Sequence, residues 1–276
     1  MLRERVSDNI YIFTSDLYAQ VTAGAIVTPG GTILVDSLPF PVETRDMASF
    51  ISDVSRDGVR YVILTHYHAD HAYGTYLFPD ADLVCHALCH RFLEERGLPA
   101  LEEAKEHEPL LEEVQLRFPD VTFEGERMAL QVAHQVIQLI WTPGHTQDMV
   151  LVYVEDEQVL FASDTMMPVP SIVDGDLEAF RRSLHKIKDL DIKNLVQGHG
   201  EVVLIGEVHK AVQGSLVYLD MIEQKVTDAI ESGEGRSALR DDNIESTGLS
   251  RLPIHGQVQQ IHVANLLALY DERISG

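Results

Sequence analysis

The chain has 276 residues, 45% of them hydrophobic, which suffices for one large α/β domain or two small ones around a substantial core. Its 44 acidic residues against 21 basic leave a net charge of −23 with no Lys/Arg cluster, which argues against a surface built to neutralise nucleic-acid phosphates. No stretch is long and apolar enough to span a bilayer, and Met1 to Val6 lacks the apolar core of a signal peptide, so a cytoplasmic protein with no membrane partner is expected.

Ile10 to Phe13, Val21 to Thr28 and Thr32 to Asp36 read as strands, the last two joined by the turn Pro29-Gly30-Gly31. Pro41 suits the first turn of a helix, Val42 to Arg56 has helical spacing, and Gly58 ends it. Tyr61 to Leu64 is a short buried strand that runs straight into Thr65-His66-Tyr67-His68-Ala69-Asp70-His71, and a helix is expected over His71 to Phe78. Leu83 to Cys85 is a further strand. Residues 87–117, rich in Glu, Leu and Ala and interrupted by Gly97-Leu98-Pro99 and Pro109, read as helical pieces lying over the histidine motif.

A β-rich second half follows: Val121 to Phe123, Arg127 to Gln131, Gln135 to Trp141, Val150 to Val154 and Gln158 to Phe161. Asp176 is placed to cap a helix reaching Leu190, and Ile192 to Val196 is the final strand. Beyond it the character changes. Val208, Val212, Leu216, Leu219, Ile222, Val226 and Ile230 mark one face of a long helix, Ser232-Gly233-Glu234-Gly235 breaks it, and a last helix runs from about Val258 to Tyr270. The reading is therefore α/β and layered, with a domain over 1–205 and a helical extension over 206–276 packed on it; such apolar faces also suit a homodimer.

Cys85 and Cys89 are the two cysteines, too few for a disulfide framework. With His86 and His90 they recur at four-residue spacing, which on a helix could present a metal site. Structural zinc sites usually draw ligands from two separate chain segments, so semi-buried thiols at a strand-to-helix junction are the better reading.

Chemistry concentrates elsewhere. His66, His68, Asp70 and His71 fall within six residues, and three further candidates each follow a β-rich segment among small residues: His145 in Thr-Pro-Gly-His-Thr, Asp164 in Ala-Ser-Asp-Thr and His199 in Gly-His-Gly. Imidazole suits zinc, iron, copper and nickel, and carboxylate adds a hard donor. A catalytic zinc takes about three protein ligands and keeps a position open. Seven donors therefore exceed two such sites by one unless one is shared, and the two oxygens of Asp164 make it the natural bridge. Period-two geometry puts His66, His68 and Asp70 on one side of an extended segment and does not divide them between two ions.

The pattern His-x-His-x-Asp-His, then His, Asp and His, resembles that of the metallo-β-lactamase superfamily, over roughly residues 6 to 200. The resemblance implies a four-layer αββα sandwich carrying a C-terminal helical appendage. It implies that His66, His68 and His145 hold one divalent ion, that Asp70, His71 and His199 hold a second, and that Asp164 bridges. Zinc is the first expectation, with iron or manganese also compatible.

Such a centre would use a metal-bridging hydroxide to cleave an ester, thioester, lactone or amide of a small molecule, with Asp70 orienting the nucleophile and accepting its proton. The loops after His145, Asp164 and His199 are similar to the branch of lactonases, glyoxalase II-type thioesterases and broad-spectrum hydrolases. Two alternatives stand beside it: an oxidoreductase resembling the mononuclear iron persulfide oxidisers, which share the motif, and a phosphodiesterase. Tyr67, Met166 and Met167 are expected to line the pocket. Residues 249–256, Ile254 in particular, are expected to approach it as a lid that shapes substrate choice.

Overall fold

The computed structural model describes residues 1–275. Seven strands form the first sheet in chain order: β1 (Leu2–Arg5), β2 (Ile10–Thr14), β3 (Thr22–Thr28), β4 (Gly31–Val35), β5 (Val59–Ile63), β6 (Asp82–His86) and β7 (Val121–Phe123). β1 to β4 pair antiparallel, β4 to β7 parallel. Six strands form the second: β8 (Arg127–Val132), β9 (Gln135–Trp141), β10 (Val150–Val154), β11 (Val159–Ser163), β12 (Asn194–Gln197) and β13 (Val203–Leu204), again in chain order. Only the pairing of β11 with β12 is parallel there.

Helices supply the crossovers that parallel pairs require. They are α1 (Pro41–Val54), α2 (Ala69–Ala72) continued by a 3₁₀ turn at Tyr73–Leu77, α3 (Ala87–Phe92), a π turn at Leu93–Gly97, α4 (Leu98–Lys105) and α5 (Leu177–Lys188). The expected helix behind the histidine motif thus begins two residues earlier, at Ala69, and tightens after one turn. Asp176 caps α5 as expected, its side chain accepting from the Ala179 N–H. Beyond β13 come α6 (Val208–Glu231), α7 (Arg236–Arg240) and α8 (Val258–Ser275).

Three apolar clusters separate four layers. On one face of the first sheet, Phe13, Leu34 and Val62 pack with Met47 and Ile51 of α1. On its other face, Ile12, Ile33 and Ile63 meet Ile137, Leu139, Val152 and Phe161 of the second sheet. Neighbours Ile33 and Leu34 thus go to opposite clusters, the period-two alternation of a strand buried on both faces. On the far side of the second sheet, Leu151, Leu160 and Leu195 pack with Phe180 and Leu184 of α5, Val212 and Leu219 of α6, and Leu266 of α8. The sandwich is therefore helix, sheet, sheet, helix, and the helices after β13 lie in its outer layer.

Both sheets end at one edge, and there they are laced together. The Thr22 N–H donates to the Gly198 carbonyl at 2.8 Å, Val21 bridges His199, and the Val150 N–H donates to the Thr65 carbonyl at 2.9 Å. Cys85 and Cys89 are buried free thiols at the junction of β6 and α3. Among the described residues no helix is long and apolar enough to cross a membrane.

Candidate metal centre

All seven candidate ligands meet at the laced edge. His66 to His71 leave the carboxyl end of β5, Asp164 follows β11, His199 follows β12, and His145 sits in the loop between β9 and β10. The carboxyl ends of strands are where open α/β sheets collect their ligands. The pairing of β11 with β12 shifts register between Phe161 and Ser163, and Ser163 has φ +43°. This irregularity aims Asp164 away from the sheet. Gly198 leaves room for it: a Cβ there would stand 1.8 Å from Asp164 Oδ1.

His66, His68, His145 and Asp164 each place one donor atom within 4.8 Å of the others, and so do Asp70, His71 and His199. The Asp164 carboxylate stands between the two sets. Its Oδ2 lies 3.3 Å from His145 Nε2 and 3.6 Å from His199 Nε2, and its Oδ1 lies 3.3 Å from His71 Nε2. His68 turns Nδ1 toward His145 Nε2, 3.0 Å away. Asp70 Oδ2 faces His199 Nε2 at 3.2 Å.

His66 Nε2, His71 Nε2 and Asp164 Oδ1 are buried and make no hydrogen bond. Bare donor and acceptor atoms at such depth are costly and rare in folded proteins. Three of them converging with four more imidazole and carboxylate donors is an arrangement that divalent cations complete, and the nitrogen and oxygen donors suit zinc, iron or manganese.

The remaining ring nitrogens are anchored from behind. His71 Nδ1 contacts Asp36 Oδ2 at 2.9 Å, His145 Nδ1 the Ser171 carbonyl at 2.9 Å, and His199 Nδ1 the Ala19 carbonyl at 2.9 Å. His66 Nδ1 meets Thr65 Oγ1, which donates to Asp36 Oδ2. Such partners fix tautomer and ring orientation and raise ligand basicity. His68 Nε2 faces Asp174 Oδ2 at 3.7 Å, and Asp174 is also held by the Tyr67 hydroxyl and by Arg96. Asp148, wholly buried, accepts the Tyr67 N–H through Oδ2.

Charge in the cluster divides unequally. Burial, reinforced by the neighbouring imidazoles, pushes His66 well below its ordinary value. Burial also takes His145 down to about 4 against the pull of Asp164. For His71 and His199 burial acts the same way but loses: Asp164 and Asp70 hold His71 well above the usual range and His199 at about 10. Burial likewise fails to protonate Asp70, which His71 and His199 hold at about 2, or Asp164, which His199, His71 and His145 hold well below the usual carboxylate range.

The pocket residues expected from sequence fare differently. Tyr67 is half-buried with its ring 4.7 Å from that of His68, beside the centre. Met167 lines a groove of about 380 Å³ with Pro168, Pro170 and Leu249, and Met166 also borders it while packing into the outer core cluster. Ile254 is 1% exposed and packed in that cluster, on left-handed backbone (φ +47°). The segment reaches the centre's surroundings by its backbone instead: the Ile254 N–H donates to Gln20 Oε1 at 2.9 Å, beside Ala19.

Sequence reasoning missed Asp36, Asp148 and Asp174 as supports. Asp36 carried a usable signal, since it directly follows β4 at the same carboxyl edge as the candidate ligands. Asp148 and Asp174 are lone acids in loops and carried none.

The family model described as Metallo-beta-lactamase superfamily matches residues 18–199. The chain is 28% identical over 145 residues to a beta-lactamase-like protein 2 homolog of Caenorhabditis elegans, covering 52% of this chain and 43% of that one. It is 26% identical over 173 residues to an atrochrysone carboxyl ACP thioesterase of Aspergillus fumigatus, covering 62% and 48%. The chain thus matches less than half the length of either relative. A metallo-beta-lactamase family protein from Thermus thermophilus superposes with a TM-score of 0.70 at 20% identity, covering 99% of this chain and 95% of that one. A metallo-beta-lactamase from Pontibacter korlensis superposes with a TM-score of 0.66 at 19% identity, covering 79% and 98%.

Proposed function

Since this chain belongs to the metallo-beta-lactamase superfamily, we propose that it is a hydrolase that uses two divalent ions, zinc foremost, to cleave an acyl bond of a small molecule. Thioesters lead esters, lactones and amides, because several relatives are named thioesterases. One observation carries the reading: seven donors in two adjoining sets, with Asp164 between them and three buried donor atoms bare. His66, His68 and His145 would hold one ion, Asp70, His71 and His199 the other, and Asp164 both. When bound, two such ions supply a water made nucleophilic near neutral pH and an electrophile for the scissile carbonyl.

The chain's own groups do the rest. Asp70 is ionised throughout the neutral range and less enclosed than His71, Asp164 and His199, its side chain 16% exposed, so it can accept a hydrogen bond from an attacking water and orient it. A carboxylate held at about 2 is a weak base, so orientation, more than proton storage, is its contribution. Nearby, the charge of Asp70 raises Tyr18 to about 12, and burial together with Asp70 does the same to Tyr73. Both phenols stay protonated, and Tyr18, 42% exposed, is available to donate to an incoming substrate.

The test is elemental analysis of purified protein together with rates on small thioesters, esters, lactones and phosphodiesters. Two ions per chain and chelator-sensitive acyl hydrolysis are expected. A single tightly held iron without acyl hydrolysis would favour the oxidoreductase reading, and phosphodiester cleavage alone would favour the phosphodiesterase.

A further inference from the structure

A buried polar chain crosses the otherwise apolar outer core. Lys225 pairs with Asp242 Oδ2 at 2.7 Å, Asp242 Oδ1 meets His262 Nε2 at 2.9 Å, and His262 Nδ1 meets the Tyr218 hydroxyl at 3.0 Å. The Tyr218 oxygen accepts from Asn265 Nδ2 at 3.0 Å. His262 and Asn265 are fully buried, Tyr218 nearly so. The chain sets each donor in turn. With Nε2–H given to Asp242, His262 Nδ1 accepts the Tyr218 hydroxyl proton. The Tyr218 oxygen is then left to accept, which fixes the Asn265 amide with Nδ2 toward it.

Asn265 spends its other two bonds on one stretch of backbone. Nδ2 donates to the Pro170 carbonyl at 2.7 Å, and Oδ1 accepts the Ile172 N–H at 2.9 Å. Between them lies Ser171, whose carbonyl accepts His145 Nδ1. α8 therefore grips the peptide group that contains the Ser171 carbonyl, through its Ile172 N–H, and the peptide group before it, through the Pro170 carbonyl.

A second contact does the same for the other set. The Ile254 N–H donates to Gln20 Oε1, the Gln20 carbonyl accepts the Gly200 N–H at 2.9 Å, and neighbouring Ala19 orients His199 Nδ1. Ala19, Gln20, Ile254 and His255 all have positive φ, between +44° and +56°. Left-handed backbone is uncommon outside glycine and is a marked outlier for β-branched Ile254. Four such residues meeting at one junction persist only where surrounding structure over-determines them.

We propose that Asn265 and Gln20 are positioning residues for the metal centre, Asn265 holding His145 through Ser171 and Gln20 holding the Ala19–His199 contact against the Ile254 corner. The helical extension thereby braces one imidazole of each ligand set. This rests on reading the seven donors as a metal centre.

The test is a cobalt(II) titration of metal-free protein, followed by visible absorption and by chelator competition. The unaltered protein is compared with Asn265→Leu and Gln20→Ala, and thermal unfolding of each metal-free protein is recorded alongside. Outer partners of metal ligands are worth on the order of 10–100-fold in metal affinity. Asn265→Leu should weaken one ion by at least about tenfold, and in a His145→Ala background it should cause no further loss. Gln20→Ala should weaken the ion that His199→Ala weakens. Lowered melting temperature with both affinities intact would mark Asn265 and Gln20 as packing residues and overturn the proposal. Failure of the unaltered protein to bind cobalt would instead remove the metal-centre reading beneath it. If Asn265→Leu does not fold, Gln20→Ala, half-buried in a loop, decides by the same criterion.

Discussion

Asp36 accepts the Thr65 N–H and hydroxyl and contacts His71 Nδ1, each within 2.9 Å, while Thr65 Oγ1 in turn meets His66 Nδ1. One carboxylate thus orients a ligand from each set, at a residue with φ +60°. Asp36→Ala should therefore weaken both ions, by on the order of 10–100-fold, where His199→Ala weakens chiefly one; chelator competition separates the two patterns. Asp70→Asn should lower turnover far more than it raises KM, as expected for a group acting in the transition state. Unchanged turnover with both ions retained would remove Asp70 from the chemistry.

Protonation gives a third prediction at this scale. His71 and His199 have raised values in the metal-free protein and carry protons at pH 7. A cation must displace those protons, so uptake releases them and affinity weakens as pH falls. The same protonated state stabilises the metal-free fold fully below the unfolded imidazole value of about 6.5, and that gain is lost as pH rises through about 10. Zinc calorimetry at pH 7 in two buffers of different ionisation enthalpy measures the release; equal heats would contradict it.

Among the elements, those with a strong pattern are legible in the sequence. β3 and β4 join at the expected turn, α1 starts at Pro41, and β5 delivers the motif, since each combines apolar periodicity with a turn or cap residue. β1 is not legible. Leu2–Arg5 is exposed throughout and carries no hydrophobic alternation, so only pairing with β2 makes it a strand. β13, two residues long, leaves no periodicity to read. The ligands are legible because they cluster or sit in small-residue loops. Most of their supports are not, because Asp148, Asp174 and Asn265 act across chain separations that no local pattern encodes.

Gly24 offers a test of the sheet interface. A Cβ on β3 there would stand 2.0 Å from the Phe161 ring, so the bare glycine admits Phe161 between the sheets. Gly24→Ala should destabilise by about 1–3 kcal/mol, as overpacking does in well-packed cores, read as a lower denaturation midpoint with unchanged slope. An unchanged midpoint would mean the ring has room to move.

Over the whole molecule, the helices after β13 do not stand apart from the sandwich. Val212, Leu216, Leu219 and Leu266 share one cluster with Leu151, Leu160 and Leu195 of the second sheet. A chain ending at residue 205 would leave α5 alone over that face of the sheet, and we expect it to aggregate or populate a loosely packed state that binds hydrophobic dye. A soluble, cooperatively folding fragment that still takes up two ions would show that residues 206–276 are dispensable to the fold. The negative net charge belongs to this scale too: it favours solubility and says nothing about the fold.

The bracing of Ser171 and Gln20 by residues much later in the chain also has a consequence in time. Synthesis runs from the amino terminus, so every donor from His66 to His199 leaves the ribosome before Ile254 and Asn265 exist. During that interval the nascent chain would hold all seven candidate ligands before the residues proposed to anchor His145 and His199 from behind. A cation captured then would meet imidazoles free to rotate and would escape readily. Maturation of the centre would thus be tied to the arrival of α8, and faithful loading would become a late event in the life of each molecule.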